Sequence, residues 1–158
     1  ALVRWLAASG QQGRLIAHDI AADRLKQTAS RAERAGAAIE CRAPDEMAGL
    51  TDACDLVFVD APCTGSGSWR RDPEGKWRLT EGRFIEYQAL QREVFANALR
   101  HVAPGGRLAY ATCSLFAEEN ADLATWAAGA FPQLKPGASL TLAPASLHDG
   151  FYCSVFHL

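Results

Sequence analysis

Two cysteines in this sequence follow short apolar segments and stand beside polar residues that can support thiol chemistry. Cys63 lies in the segment Asp60-Ala61-Pro62-Cys63-Thr64-Gly65-Ser66-Gly67, and Cys113 lies in Thr112-Cys113-Ser114. A thiol becomes a nucleophile when it loses its proton, and neighbouring groups control that loss. If both segments end neighbouring strands, the two thiols and the Asp60 carboxylate converge on one cleft. The alternative is that either cysteine is a small buried apolar residue.

Asp19 is a second acidic candidate, because it closes an apolar segment and precedes a run of helix-forming residues. In nucleotide-binding α/β folds, a carboxylate at that place accepts hydrogen bonds from ribose hydroxyls. An aspartate that only starts a helix would occupy the same place. Spacing alone therefore leaves both interpretations of Asp19 open.

A polar segment with aromatic and basic side chains follows the first cysteine. The segment Trp69-Arg70-Arg71-Asp72-Pro73-Glu74-Gly75-Lys76-Trp77-Arg78 carries four positive and two negative charges. Guanidinium and indole groups contact phosphates and stack on unpaired bases in complexes with single-stranded RNA. Arg70, Arg71 and Lys76 are therefore candidate RNA-binding residues, and a solvated surface loop is the alternative.

Length and composition limit the classes of protein to consider. The chain has 158 residues, 49% of them apolar, so we predict that residues 1–158 form part of a single domain. The formal net charge of −2 means that any contact with nucleic acid must be local. No apolar run approaches the roughly 20 residues of a membrane-spanning helix, and the first residues do not resemble a signal peptide, which favours a cytoplasmic protein.

The cysteine spacing favours neither a disulfide framework nor a metal site. The five cysteines include no Cys-x-x-Cys pair. Cys153 and His157 are four residues apart, but no second ligand pair accompanies them. We therefore predict that the protein binds no metal.

Alternating strand and helix patterns must position these side chains. Strands are predicted over residues 14–19, 38–42, 56–59, 107–112 and 151–156. Helices are predicted over residues 1–9 and 22–35. A third helix contains Leu90, Val94 and Leu99 and ends at Pro104-Gly105-Gly106. A fourth begins after Ser114, its predicted N-cap, and carries Glu118 and Glu119 in its first turn. A long polar loop is predicted over about 62–80, after the strand 56–59, and its length favours a functional or mobile loop. This alternation predicts an α/β protein with a mostly parallel sheet.

Several motifs together resemble the Sun/Nol/Nop (Fmu-type) family of RNA cytosine-5 methyltransferases. They match in order and spacing, from Asp19 onward over nearly the whole chain. The matching segments are Asp60 to Gly67, Arg70 to Trp77, Pro104-Gly105-Gly106, Tyr110-Ala111-Thr112-Cys113-Ser114, Glu119-Asn120 and His148-Asp149-Gly150-Phe151-Tyr152. The resemblance implies a Rossmann-like class I methyltransferase fold, S-adenosylmethionine as cofactor, and RNA as substrate, with ribosomal RNA favoured over transfer RNA.

The resemblance also implies a role for each candidate residue. In this family the thiol of the Thr-Cys-Ser motif adds to carbon 6 of cytosine, which makes carbon 5 able to attack the sulfonium methyl group. Cys113 is then the nucleophile, and Cys63 aids release of the enzyme from the methylated base. Asp60 contacts the base edge or the cofactor, and Asp19 binds the cofactor ribose.

One part of the family pattern is not found in this sequence. The family places its first strand and a glycine-rich cofactor loop before the helix that here begins at Ala1. We therefore expect the C-terminal part of a methyltransferase catalytic domain, with a sheet that lacks this strand and loop. The alternative is a non-catalytic RNA-binding or scaffold remnant that cannot bind cofactor alone.

Two related classes fit less well. An amino-group methyltransferase of this fold would carry an Asn/Asp-Pro-Pro-Tyr-type motif where this chain has Asp60-Ala61-Pro62-Cys63. A DNA cytosine methyltransferase would use the cysteine of that Pro-Cys pair as its nucleophile, whereas Thr112-Cys113-Ser114 points to the RNA enzymes.

Overall fold

The computed structural model describes residues 13–158, and the chain divides into two compact units, 1–50 and 51–158. The helix expected over residues 1–9 lies outside the described residues. The expectation of a single domain over residues 1–158 stays a prediction. None of the helices in residues 13–158 is long and apolar enough to span a membrane.

Over residues 13–50, the described part of the first unit, the structure has two parallel strands, one α-helix and a 3-10 helix (Pro44–Leu50). Strand β1 (Ile16–His18) pairs with β2 (Glu40–Arg42), and helix α1 (Ala22–Arg34) connects them. Gly36 follows the helix with a φ of +64°, a backbone conformation that glycine adopts without strain. The predicted strands and helix are confirmed, with slightly shorter bounds.

The second unit is built on a four-stranded mixed sheet with the order β3-β4-β6-β5. Strands β3 and β4 run parallel, whereas β6 is antiparallel to both β4 and β5. The strands are β3 (Cys54–Asp60), β4 (Val102–Thr112), β5 (Lys135–Leu142) and β6 (Phe151–His157). The helices are α2 (Pro73–Arg78), α3 (Glu81–Leu99) and α4 (Ala121–Ala130).

Aromatic packing holds α3 and α4 against this sheet. Phe95 of α3 is fully buried, and its ring lies 5.2 Å from that of Phe156 and 6.0 Å from that of Tyr110, measured between centroids. Trp126 of α4 contacts the same ring at 6.2 Å. Because Tyr110 lies two residues before the end of β4, this core fixes the position of that strand end.

Four elements differ from the sequence prediction. Helix α2 (Pro73–Arg78) lies within the segment over about 62–80 that was predicted to be a loop, and Pro73 in its first turn has a backbone φ angle suited to a helix start. Strand β4 includes Pro104-Gly105-Gly106, which we expected to lie before it, and Gly105 takes a φ of +77° there. Strand β5 was not predicted, because all eight of its residues are exposed and show no buried apolar alternation. The last helix begins at Ala121, while Glu118 and Glu119 form a separate 3-10 turn over Ala117–Glu119.

Candidate active site

The parallel pairing of β3 and β4 brings the two cysteines together. Asp60 at the end of β3 lies opposite Ala111, so both strands end at the same edge of the sheet. Cys63 follows β3 by three residues, and Cys113 follows β4 directly. Their sulfur atoms are 3.5 Å apart and both side chains are partly exposed, so the structure brings the two candidate thiols together at one solvent-accessible place.

The two thiols share a hydrogen bond that makes their acidities unequal. The bond donated by Cys63 lowers the pKa of Cys113 to about 7, although burial and the negative charge of Asp60 oppose this effect. The same bond, together with burial, raises the pKa of Cys63 above its ordinary value. The first proton therefore leaves Cys113, and the thiolate that remains is stabilised by the S–H group of Cys63.

Asp60 is exposed at the rim of this site. Its charge acts on the thiol of Cys113, which places it near the thiols as predicted. A carboxylate in that position is available to a ligand that enters from solvent.

Glu119 lies beneath the thiols and contacts the residue that follows each of them. It is fully buried. Its Oε1 accepts a hydrogen bond of 2.9 Å from the Thr64 backbone N–H, and its Oε2 accepts one of 2.5 Å from the Thr64 hydroxyl. The Ser114 hydroxyl also donates to Oε2, and Gln91 Nε2 donates to Oε1 at 2.8 Å. Four uncharged donors thus satisfy this buried carboxylate.

These contacts correct the expected role of Ser114. The Ser114 hydroxyl does not cap the last helix, because it points to Glu119 and accepts from the Phe116 backbone N–H at 3.1 Å. Glu119 turns into the protein interior and lies in a 3-10 turn instead of the first turn of the last helix. Burying a charge without hydrogen bonds costs free energy, which explains why the surrounding donors all point to this carboxylate.

Asn120 holds the backbone around Cys113. Its amide nitrogen donates to the Ser114 carbonyl at 2.9 Å, and its amide oxygen accepts from the Thr112 hydroxyl at 2.6 Å. Asn120 is itself buried. The residues on both sides of the candidate nucleophile are therefore fixed by one side chain.

A close backbone contact connects the Cys63 loop, which we define as the segment from Ala61 to Ser68, to the end of β4. The Gly67 N–H donates to the Cys113 carbonyl at 2.8 Å, and the Gly150 N–H donates to the Gly67 carbonyl at 3.0 Å. A Cβ atom on Gly67 would lie 2.7 Å from that Cys113 oxygen and 2.8 Å from Gly150 Cα. Only glycine fits at position 67 without displacing the backbone.

The candidate RNA-binding residues lie on the segment that follows. Arg71 forms an ion pair with Asp149, whose other oxygen is 3.8 Å from Arg70. Arg70 also donates to the Ser146 carbonyl at 2.9 Å. Lys76 lies 5.7 Å from the ring centroid of Trp77, which is 82% exposed. The two arginines are therefore held by an acid that the sequence did not reveal as their partner.

Asp19 belongs to the first unit and lies directly after β1. Its Oδ1 accepts a hydrogen bond of 2.8 Å from the Ala21 backbone N–H, and its Oδ2 is 3.6 Å from the Arg24 guanidinium. The first contact is the one expected of an aspartate at the start of a helix. Ribose binding by Asp19 stays a prediction.

Sequence reasoning missed the parts of Glu119, Gln91 and Asn120 in this site. The pair Glu119-Asn120 was recognised as a family motif without a role, and Gln91 carried no signal because a polar residue in a long helix is usually exposed. Within residues 13–158, no group of three His, Cys, Asp or Glu side chains is arranged to hold a metal ion. Cys153 and His157 lie on one strand, where a spacing of four residues corresponds to about 13 Å.

Comparison with solved structures defines the fold class. The chain superposes on the crystal structure of PH0851 with a TM-score of 0.84 at 30% identity, covering 93% of this chain and 37% of that one. It superposes on NSun6 from Pyrococcus horikoshii, solved with SFG, with a TM-score of 0.79 at 22% identity, covering 99% of this chain and 43% of that one. The fold is that of a Rossmann-like methyltransferase.

Sequence comparison then identifies the family. A family profile described as 16S rRNA methyltransferase RsmB/F matches residues 4–128, and the chain belongs to this family. The resemblance inferred from the motifs is thereby confirmed. Among curated relatives, the chain is 34% identical over 142 residues to ribosomal RNA small subunit methyltransferase B of Klebsiella pneumoniae (strain 342), covering 85% of this chain.

It is also 30% identical over 131 residues to ribosomal RNA small subunit methyltransferase F of Enterobacter sp. (strain 638), covering 80% of this chain. The chain spans 32% of the length of the Klebsiella relative and 27% of the Enterobacter relative.

Proposed function

We propose that this chain is the catalytic part of an S-adenosylmethionine-dependent methyltransferase that methylates carbon 5 of cytosine in ribosomal RNA. The observation that carries the proposal is the pair of thiols 3.5 Å apart at the ends of two parallel strands. Membership of the 16S rRNA methyltransferase RsmB/F family supports RNA methylation, and the thiol pair supports cytosine carbon 5 as the target. That carbon reacts as a nucleophile only after a thiolate has added to carbon 6.

Cys113 is the nucleophile in this proposal. Its lowered pKa, about 7, makes about half of it thiolate at neutral pH, and the thiolate is the reactive form. The thiolate adds to carbon 6 of cytosine and forms a sulfur–carbon bond, so that negative charge passes into the ring. S-adenosylmethionine, when bound, supplies an electrophilic methyl group to carbon 5.

Cys63 completes the reaction by accepting the proton that carbon 5 must lose. Before the reaction its pKa is raised most by the hydrogen bond to Cys113, then by burial, and then by the charge of Cys113. Once Cys113 is bonded to the base, that acceptor and its charge are gone, so the pKa of Cys63 falls and its own proton can leave. The Cys63 thiolate then takes the carbon 5 proton, and Cys113 is released from carbon 6.

Two acids, Asp19 in the first unit and Asp60 in the second, are each candidates for a contact with the cofactor. Asp19 Oδ1 accepts from the Ala21 N–H, so Oδ2 is the oxygen that would accept from a ribose hydroxyl, beside the Arg24 guanidinium at 3.6 Å. Asp60 is exposed beside the thiols. The NSun6 structure was solved with SFG, an S-adenosylmethionine analogue, which supports the same cofactor.

RNA would approach along the arginine-containing segment. Arg70, Arg71 and Lys76 supply positive charge, and the exposed Trp77 ring offers a surface for base stacking. Their position in the chain directly after the Cys63 loop supports contact with the nucleotides that flank the target cytosine.

Covalent trapping tests the proposal. The purified protein is incubated with S-adenosylmethionine and small-subunit ribosomal RNA containing 5-fluorocytosine, whose fluorine cannot leave as a proton does. We expect a covalent protein–RNA adduct that C113A abolishes and that the control C41A, in the first unit, leaves unchanged. On unmodified RNA, C63A should accumulate an adduct in which Cys113 stays bonded to carbon 6 of the methylated cytosine, because the carbon 5 proton is not removed and release is blocked.

Three results would count against this function. Adduct formation by C113A would exclude Cys113 as the nucleophile, and a methyl group at any atom other than carbon 5 would exclude the cytosine-5 reaction. RNA binding without adduct or methylation would favour the non-catalytic RNA-binding alternative.

A further inference from the structure

The two cysteines are positioned through their chain neighbours. On the Cys63 side, Gln91 Nε2 donates to the Pro62 carbonyl at 2.9 Å, and both the backbone and the hydroxyl of Thr64 donate to Glu119. On the Cys113 side, the Ser114 hydroxyl donates to the same carboxylate. One carboxylate thus holds the residue that follows each thiol.

Glu119 is suited to this task by reach and by burial. Thr64 and Ser114 are 50 residues apart in the chain, and their hydroxyls meet at Oε2 with 3.3 Å between them. Oε1 is tied in turn to helix α3 through Gln91. Because Glu119 is fully buried, water does not compete for these bonds.

We propose that Glu119 is a positioning residue that sets the distance between Cys63 and Cys113. This role rests on the proposed function, in which Cys113 attacks the base and Cys63 takes the carbon 5 proton. Both steps occur on one base, so the two sulfur atoms must stay a few ångströms apart. A misplacement of about 1 Å in such a pair lowers a rate by about 100-fold.

Substitution of Glu119 by glutamine or by aspartate distinguishes the effect of its side-chain length from the effect of its charge. E119Q keeps the length of the side chain, and its amide oxygen can accept from the Thr64 N–H and Gln91. Its NH₂ group can donate to the two hydroxyls, which rotate to accept. E119D keeps the charge, but it is shorter by about 1.5 Å and cannot reach both loops at once.

The test measures how fast Cys63 and Cys113 become linked by a disulfide. Diamide takes two electrons and two protons from the thiols and becomes a hydrazine, and peptide mass spectrometry counts the product. Wild type, E119Q, E119D, E119A and the control E118A are compared, because Glu118 is the exposed neighbour in the same turn. Circular dichroism verifies that each variant is folded.

We expect E119Q and E118A to form the disulfide within about threefold of the wild-type rate, and E119A and E119D at least about tenfold more slowly. Equal rates for E119A and E118A would overturn the proposal. If E119A does not fold, the comparison of E119D with E119Q tests the proposal. Slower disulfide formation in E119Q than in E119D, or equal rates in both, would show that the length of the side chain does not position the thiols.

Methylation kinetics connect this role to catalysis. Loss of positioning should lower kcat in E119D with little change in KM for RNA, and E119Q should restore it. The disulfide measurement needs neither RNA nor cofactor. If the proposed methylation fails while the disulfide rates follow the expected order, the function is wrong and the positioning role stands.

Discussion

Removing the Cys63 thiol should change the pH dependence of Cys113 reactivity in a characteristic way. The hydrogen bond from Cys63 is the largest cause of the lowered pKa of Cys113, about 7 against an ordinary value of 9.0. In C63A that donor is absent, while burial and Asp60 still disfavour the thiolate. The pKa of Cys113 should therefore return to 9.0 or above.

The expected change in rate has two opposing parts. At pH 7 the thiolate fraction of Cys113 falls from about one half to about 1%, a loss of about 50-fold. The thiolate of higher pKa is intrinsically more reactive by about eightfold, given a Brønsted coefficient near 0.45. C63A should therefore alkylate about sixfold more slowly than wild type at pH 7, about equally near pH 8, and about eightfold faster above pH 10.

The assay is alkylation by iodoacetamide over a range of pH, with the Cys113 peptide quantified by mass spectrometry and the Cys41 peptide as internal reference. C63S is the matched control, since a serine hydroxyl can still donate to the thiolate, and its midpoint should lie below that of C63A. A C63A midpoint that stays near 7 would refute the reasoning, because the low pKa would then owe nothing to Cys63. A wild-type midpoint near 9 would refute it as well.

Two further predictions concern the close backbone contact and the arginines. G67A should destabilise the protein by about 1–3 kcal/mol in urea unfolding, because its Cβ would meet the Cys113 carbonyl at 2.7 Å. G129A, which has open space around it, should leave stability unchanged or slightly higher, and an equally stable G67A would show that the contact relaxes freely. D149N should release Arg70 and Arg71 for phosphate, raise RNA affinity at low salt, and steepen the dependence of log K on log salt by about 0.7 per added contact. Identical salt slopes in filter binding would exclude these arginines from the RNA interface.

Much of the chain could be predicted from local patterns. The run Leu56-Val57-Phe58-Val59 predicted a strand, and the structure extends it to Cys54–Asp60. The helix formers from Ala22 onward predicted α1 to within one residue. The meeting of Cys63 and Cys113 also followed, because parallel strands end at one edge of a sheet and each cysteine comes directly or shortly after such an end.

Strand β5 could not be predicted from the local sequence, because it is exposed along its whole length and contains Pro136 and Gly137. It exists because β6 offers a backbone edge for pairing, which is a property of the folded sheet. The antiparallel direction of β6 depends on the same assembly. Apolar alternation identifies a strand and does not define its direction.

The chemistry-bearing residues divide in the same way. Residue type and spacing along the chain were enough to select Cys63, Cys113 and Asp60, because reactive groups at strand ends leave a local signature. Only the tertiary structure showed that Glu119 is buried and that Asp149 pairs with the arginines. Glu119 contacts Thr64, which is 55 residues away in the chain, and Asp149 contacts Arg71, which is 78 residues away. A buried charge must find hydrogen bonds wherever the fold brings donors to it, so its partners depend on the packing of distant segments and not on its neighbours in sequence.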